Sequence, residues 1–241
     1  MKWKDITLYK FQQIELKNGE DIEEIDKTLF AVCYLFGYTE YELDRLPLKK
    51  VHRLIKKVEN VFKGELKVKP LKRICKYIIE YRPERLTFGQ YVELSFFFTM
   101  PPVQAAHYIM ASISHLPFCK NNSAKHKKRA DYFQTVSVVD VLGCIQKFTE
   151  NFAEFNKRFQ TLFAEGSEDK TEVKTDPFNI RYGWTYSASC VAEYERITLE
   201  QAYQLPVMQA LNDLVYLKEK AAYDEKIINN ARKNNSSQFT S

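Results

Sequence analysis

The sequence predicts a mainly α protein: a helical bundle with two similar helical units, a small β-hairpin between them, and a C-terminal helical segment. Three observations predict it. Only 7 Gly and 8 Pro punctuate 241 residues that are 45% hydrophobic, which favours long helices over a sandwich or barrel. Apolar residues recur at helical spacing through most of the chain. One phrase, an aliphatic residue, then Thr, then Leu or Phe, opens three stretches: "DITLYKFQQI" (5–14), "RLTFGQYVEL" (85–94) and "RITLEQAYQL" (196–205).

The phrase reads as a helix start. Thr7 is a good N-cap, because its hydroxyl can accept a bond from a free N–H of the first turn. Ile6 and Phe11 then occupy the positions of a hydrophobic staple. In the second copy Thr87 caps, with Leu86 and Tyr91 as the staple. In the third, Thr198 caps and Gln201 stands where a capping box wants Glu or Gln, while Ala202 facing Ile197 makes a weak staple.

Downstream of the first copy, "DKTLFAVCYLFG" (26–37) is an apolar helix candidate. "VHRLIKKVENVF" then places Val51, Leu54, Ile55, Val58 and Phe62 on one helix face. After the second copy, "VQAAHYIMASIS" (103–114) and "VLGCIQKFTENF", with Val141, Cys144, Ile145, Phe148 and Phe152, repeat the arrangement. Thr7 to Thr87 is 80 residues and Val51 to Val141 is 90, so the second unit needs an insertion. The polar, basic "CKNNSAKHKKR" (119–129) supplies it. Residues 1–63 and 83–165 are therefore read as two copies of one helical unit.

Between them, in 64–82, residues 65–69 alternate weakly and Ile74–Tyr81 is rich in β-branched and aromatic residues. A hairpin with Lys69-Pro70 near its turn fits, and a continuous helix over 71–81 fits nearly as well. Residues 166–182 begin with the turn-rich "GSEDKTEVKTDP" and read as a loop. The closing segment, 183–241, holds one helix carrying Trp184, Ala188, Val191 and Ala192, then the third phrase. Pro206 stands at the start of a last helix that buries Val207, Ala210, Leu211, Leu214, Val215 and Leu217. Beyond Ile228 the chain is Asn, Ser, Lys and Arg, and such a tail is expected to be disordered unless something holds it.

Chemistry-bearing motifs are sparse. No phosphate-binding glycine loop and no H-E-x-x-H is present. His115, Cys119 and His126 are near one another in sequence, but their spacing matches no metal site. His52 and His107 read as surface or satisfied core residues. Ser187 and Cys190 fit a packed helix better than a nucleophile pair. Glu20, Asp21, Glu23, Glu24 and Asp26 suit a first helical turn, where they face the positive end of its dipole. The five cysteines, Cys33, Cys75, Cys119, Cys144 and Cys190, form no C-x-x-C pair and read as free thiols, most of them small buried hydrophobes. The reading is non-enzymatic, with no catalytic, cofactor-binding or metal-binding residues and no cofactor.

Charge is more informative. Between Arg45 and Arg85 stand 14 Lys and Arg against four Glu. The insert adds Lys120, Lys125, Lys127, Lys128 and Arg129, which are the candidate contacts for DNA or an acidic partner. No apolar run is long enough to span a bilayer, and Lys4 and Asp5 stand where a signal peptide would be apolar.

Three stretches carry a resemblance. Trp3, Asp5, Ile6, Thr7 and Leu8 open the chain, "LTFGQYVEL" follows near position 90, and "GWTYSASCVAEYERITLEQAYQLPVMQALNDLVYLKEKAAYDE" leads to the end. Together they resemble small proteins encoded among the head–tail genes of tailed phages of gut bacteria, especially crAss-like phages. The resemblance implies a virion structural protein, a ring or adaptor of the neck or short tail that connects the portal to distal tail proteins. It would be made in the host cytoplasm and contact copies of itself in a cyclic homo-oligomer, other neck and tail proteins, and packaged DNA. It implies no membrane and no small-molecule ligand. An alternative implied by the same gene context is a cytosolic tail assembly chaperone, absent from the particle. A basic nucleic-acid-binding protein is a further alternative. The resemblance carries over no functional residue.

Overall fold

A computed structural model describes residues 1–21, 23–117, 125–163 and 177–238. In chain order a 3-10 turn (Trp3–Asp5) leads to α1 (Leu8–Asn18), α2 (Glu24–Phe36), α3 (Glu40–Asp44) and α4 (Leu48–Phe62). Strands β1 (Arg73–Ile74) and β2 (Tyr77–Ile79) follow, then a second 3-10 turn (Pro83–Arg85), α5 (Phe88–Phe97) and α6 (Pro102–Ile113). The rest is β3 (Ser114–His115), α7 (His126–Gln134), α8 (Val138–Lys157), α9 (Gln160–Phe163), α10 (Pro177–Glu195), α11 (Leu199–Gln204) and α12 (Val207–Gln238). The protein is thus mainly α with one small antiparallel sheet, ordered β1-β2-β3.

The chain forms two compact units, each assembled from separated stretches: Met1–Tyr81 with Leu94–Glu150, and Arg82–Glu93 with Asn151–Ser241. These are not the consecutive blocks 1–63 and 83–165. The repeated phrase explains the interleaving. Thr7 caps α1, its side chain accepting from the Lys10 N–H. The first N–H of α1, on Leu8, donates to the Val136 carbonyl at 2.8 Å, and the first N–H of α8, on Val138, donates to the Ile6 carbonyl at 2.9 Å. Two helix N-termini therefore satisfy each other's orphan donors across a Thr7–Ser137 bridge.

The second unit repeats the device. Phe88 N–H donates to the Leu205 carbonyl at 2.9 Å and Val207 N–H to the Leu86 carbonyl at 3.0 Å, across a Thr87–Pro206 bridge. α1 with α8 corresponds to α5 with α12. The stripe match of 51–62 to 141–152 pairs a different helix, α4, with α8 and does not coincide with this arrangement. Thr198 heads a plain capping box with Gln201 and makes no such bridge.

In the first unit Ile6, Leu8, Ile14, Val32, Leu54 and Val58 pack from the N-terminal helices. Ile109, Met110, Ile113, Phe133, Val138 and Phe148 pack from the later ones. Each such side chain removed from water contributes about 1.5–3 kcal/mol before entropic costs. The second unit is built on aromatics. Phe88 and Tyr91 of α5 are 0% and 1% exposed, with Trp184 of α10 at 6.1 and 5.6 Å between ring centroids. Phe152 and Phe155 close on Tyr91, whose hydroxyl bonds the Asn156 side-chain oxygen at 2.9 Å.

The hairpin turn lies at Cys75–Lys76, between paired Ile74 and Tyr77, not at Lys69-Pro70. The segment before it is pinned along α8. A Cβ on Gly143 would stand 2.5 Å from the Lys69 carbonyl oxygen, and Tyr81 donates its hydroxyl to the Leu71 carbonyl at 2.7 Å. The polar end of the chain, expected to be disordered past Ile228, continues as helix to Gln238. The loop expected at 166–182 falls largely outside the described residues.

Candidate functional site

The sequence-selected cations separate. Lys125, Lys127 and Lys128 are exposed at the start of α7. Arg129 is 8% exposed and turned inward, its Nε donating to the Ala111 carbonyl at 3.0 Å, so it belongs to the core and not to a contact surface. Lys120 and Cys119 lie outside the described residues. His126 is half-buried, stacked on Phe97 and 2.9 Å from the Ser112 hydroxyl. Among the described residues no three His, Cys, Asp or Glu side chains come together as metal ligands. Ser187 donates to the Gly183 carbonyl one turn back, as a helical serine does.

The first unit holds a buried polar pair. The Gln12 amide nitrogen donates to the Val103 carbonyl at 2.6 Å and lies 3.1 Å from His107 Nδ1. Burial holds the His107 imidazole below its usual range, so the ring is neutral and able to accept from Gln12. His126 is held low by burial and then by Arg129. Both groups tie α6 to its neighbours. Burial also pushes the Cys33 and Cys144 thiols up, away from the thiolate that nucleophilic chemistry requires. Cys75 is exposed at the hairpin turn and Cys190 is half-buried.

Two surfaces stand out instead. In the second unit an open groove of ≈ 630 Å³ runs between α10 and α12, lined by Trp184, Tyr186, Cys190, Leu211, Leu214 and Leu217. α12 continues beyond it. From Lys218 to Ala231 every residue is exposed. That stretch is nonetheless not uniformly polar. Leu214, Leu217, Ala221 and Ile228 follow one side of the helix, extending the line of the groove. Tyr216, Tyr223 and Ile227 follow a second line, roughly 130° round the helix, and are 49%, 63% and 49% exposed.

The sequence reading placed Leu214, Val215 and Leu217 in the core, but all three are only half-buried. It missed the exposed half-helix, whose spacing was present in "LVYLKEKAAYDEKII" but masked by the polar composition of the tail.

In the first unit α4 divides sharply. Leu54, Val58 and Val61 are buried, while Lys49, Lys50, Arg53, Lys56, Lys57 and Lys63 are exposed. Among the described residues only Lys63 of these, just past the end of α4, is ion-paired, to Glu59 at 2.9 Å. Lys50 lies over the Tyr38 ring at 5.6 Å.

No protein-family model, curated protein or solved structure matches the chain.

Proposed function

We propose that the chain is a non-enzymatic building block of a phage particle. It assembles with copies of itself into a ring or adaptor of the neck or short tail, between portal and distal tail proteins. The observation that supports this is the second half of α12. A lone helix of about 12–15 residues is marginal in water and draws its stability from packing an apolar face. Lys218–Ala231 continues α12 past its packed half, exposed along its length, with two apolar lines roughly 130° apart around the helix. A neighbour on each would bury them.

The groove beside Trp184 and Leu214 supplies an unlike surface on the same unit. Helix into groove is a heterologous contact, and heterologous contacts that close generate rings. The occupant is a second copy, because the stripe on one chain continues the apolar line that the groove of the next must cover. The phage setting comes from the motif resemblance.

Native mass spectrometry of the full chain tests the assembly. A closed oligomer is expected, and it is lost both in a chain ending at Leu217 and in full-length Tyr223→Glu/Ile227→Glu, which keeps the helix. A full chain that stays monomeric at every concentration, or variants that assemble unchanged, overturns it. Peptide mass spectrometry of purified particles tests the setting. Multiple copies are expected, and absence from particles together with binding to a free tail protein leaves the assembly chaperone as the reading.

A further inference from the structure

The solvent face of α4 has a regular pattern that self-assembly does not use. Lys49, Arg53, Lys56, Asn60 and Lys63 succeed one another at steps of four, three, four and three, so they form one line along the helix. Lys50 and Lys57 flank it. The line is about 21 Å long at 1.5 Å per residue. The opposite side of the helix is occupied by the core, through Leu54, Val58 and Val61. Across Arg45–Tyr81, all within the first unit, 12 Lys and Arg stand against Glu59, Glu65 and Glu80. Glu59 and Glu65 are already paired, with Lys63 and Lys67. Lys49, Arg53, Lys56 and Lys57 have no ion-pair partner among the described residues.

A cationic line of this kind fits one of two macromolecules, an acidic protein or a nucleic acid. Protein interfaces are centred on aromatic or aliphatic anchors, with Arg enriched and Lys depleted. Here the five cations of α4 are four Lys and one Arg, with Lys63 just past its end, and no large apolar side chain stands within the line, although Leu48, Val51 and Ile55 line a shallow groove beside Lys49 and Arg53. The exposed Leu48 stands before its first cation. Phosphate contact, by contrast, needs only positioned charge, and Lys serves as well as Arg for that. Duplex DNA offers one phosphate charge per ~1.7 Å of axis, so ~21 Å of duplex carries about twelve, of which those on the near side meet the line. We propose that the solvent face of α4 is a docking surface for a nucleic-acid duplex, gripped through its phosphates without reading the bases.

The proposal stands apart from ring assembly, which rests on the second unit. Its test is fluorescence anisotropy of a labelled mixed-sequence 30-bp DNA duplex with the full chain, across a salt series, with labelled polyglutamate as the second probe. About four phosphate contacts give a log–log salt slope near −3.6, so affinity falls roughly 150-fold between 50 and 200 mM salt. Lys49→Glu/Arg53→Glu/Lys56→Glu is expected to reduce that slope by about three and to abolish binding at 200 mM salt, with the circular dichroism spectrum and melting temperature retained.

Lys72→Glu/Arg73→Glu, on the hairpin, is expected to leave most of the affinity. If the duplex does not bind, if polyglutamate binds more tightly than the duplex, or if the hairpin variant loses as much as the α4 variant, the assignment falls. A Tyr223→Glu/Ile227→Glu chain that fails to assemble yet binds the duplex with the same slope separates this outcome from that of the assembly reading.

Discussion

Asp213 and Glu195 place two carboxyl groups together in the second unit, and Gln209 donates to one oxygen of Glu195 at 3.0 Å. Asp213 Oδ2 is buried. Burial first, and then the Glu195 carboxylate, push the Asp213 carboxyl up to about 6. A folded value above the unfolded one means that the fold prefers the protonated acid. The associated stability is therefore fully present below about pH 4 and is lost as pH rises through about 6. Asp213→Asn keeps the shape and removes the charge. It is expected to melt higher than the wild type at pH 8 and to match it at pH 4, measured by calorimetry in buffers of one ionic strength. A wild type that is the more stable at pH 8 would contradict this. Nothing in the local sequence, "ALNDLVYL", marks Asp213 as perturbed. Its neighbour is supplied by another helix, and sequence spacing carries no information about that.

At the scale of elements, the helix starts were legible and the partners of those starts were not. Capping is local, so Thr7, Thr87 and Thr198 can be recognised from the residues that follow them, and each accepts the N–H three residues on. The bridges Thr7–Ser137 and Thr87–Pro206 use only backbone groups, which any residue supplies, and so left no trace in composition. The hairpin was legible from the β-branched run, but its turn was not, because Cys75 takes φ +48° and no glycine or asparagine signals it.

α8 shows how a single residue type then enforces the packing. Gly143 lets the Lys69 backbone cross the helix, where a Cβ would lie 2.5, 2.7 and 2.8 Å from three Lys69 backbone atoms. Backbone cannot rotate away as a side chain can. Gly143→Ala should gain about 1 kcal/mol in helix propensity, lose about 1–3 kcal/mol to overpacking, and so be destabilised by a net of up to about 2 kcal/mol. Chemical denaturation of the purified variant measures this, and a stabilised Gly143→Ala would show that the Lys69 segment moves freely.

The whole molecule adds a constraint that follows from neither residues nor single helices. The excess of Lys and Arg over Arg45–Arg85 could be counted in the sequence, but neither the line they form along α4 nor the composition of the compact units was read from it. The second unit takes its central aromatics, Phe88 and Tyr91, from Arg82–Glu93, and everything around them from Asn151 onwards. Phe88 lies 6.1 Å from both Trp184 and Tyr203, and its N–H and the Leu86 carbonyl hold the Leu205–Val207 corner where α12 begins.

A fragment of residues 151–241 therefore lacks two large buried side chains and a reciprocal pair of backbone bonds. Losing one buried aromatic costs about 3–5 kcal/mol, against a total stability of about 5–15 kcal/mol for an ordinary domain. The fragment is expected to melt without a cooperative transition by circular dichroism. Supplying a peptide of residues 82–97 is expected to restore that transition and to quench or shift Trp184 fluorescence, since Tyr91 and Phe88 then close on its ring. A peptide carrying Phe88→Ala/Tyr91→Ala serves as the control and restores neither. A fragment 151–241 that unfolds cooperatively by itself would mean that its helices find a core without α5, and the bridge at Thr87 would then be a consequence of the packing and not its cause.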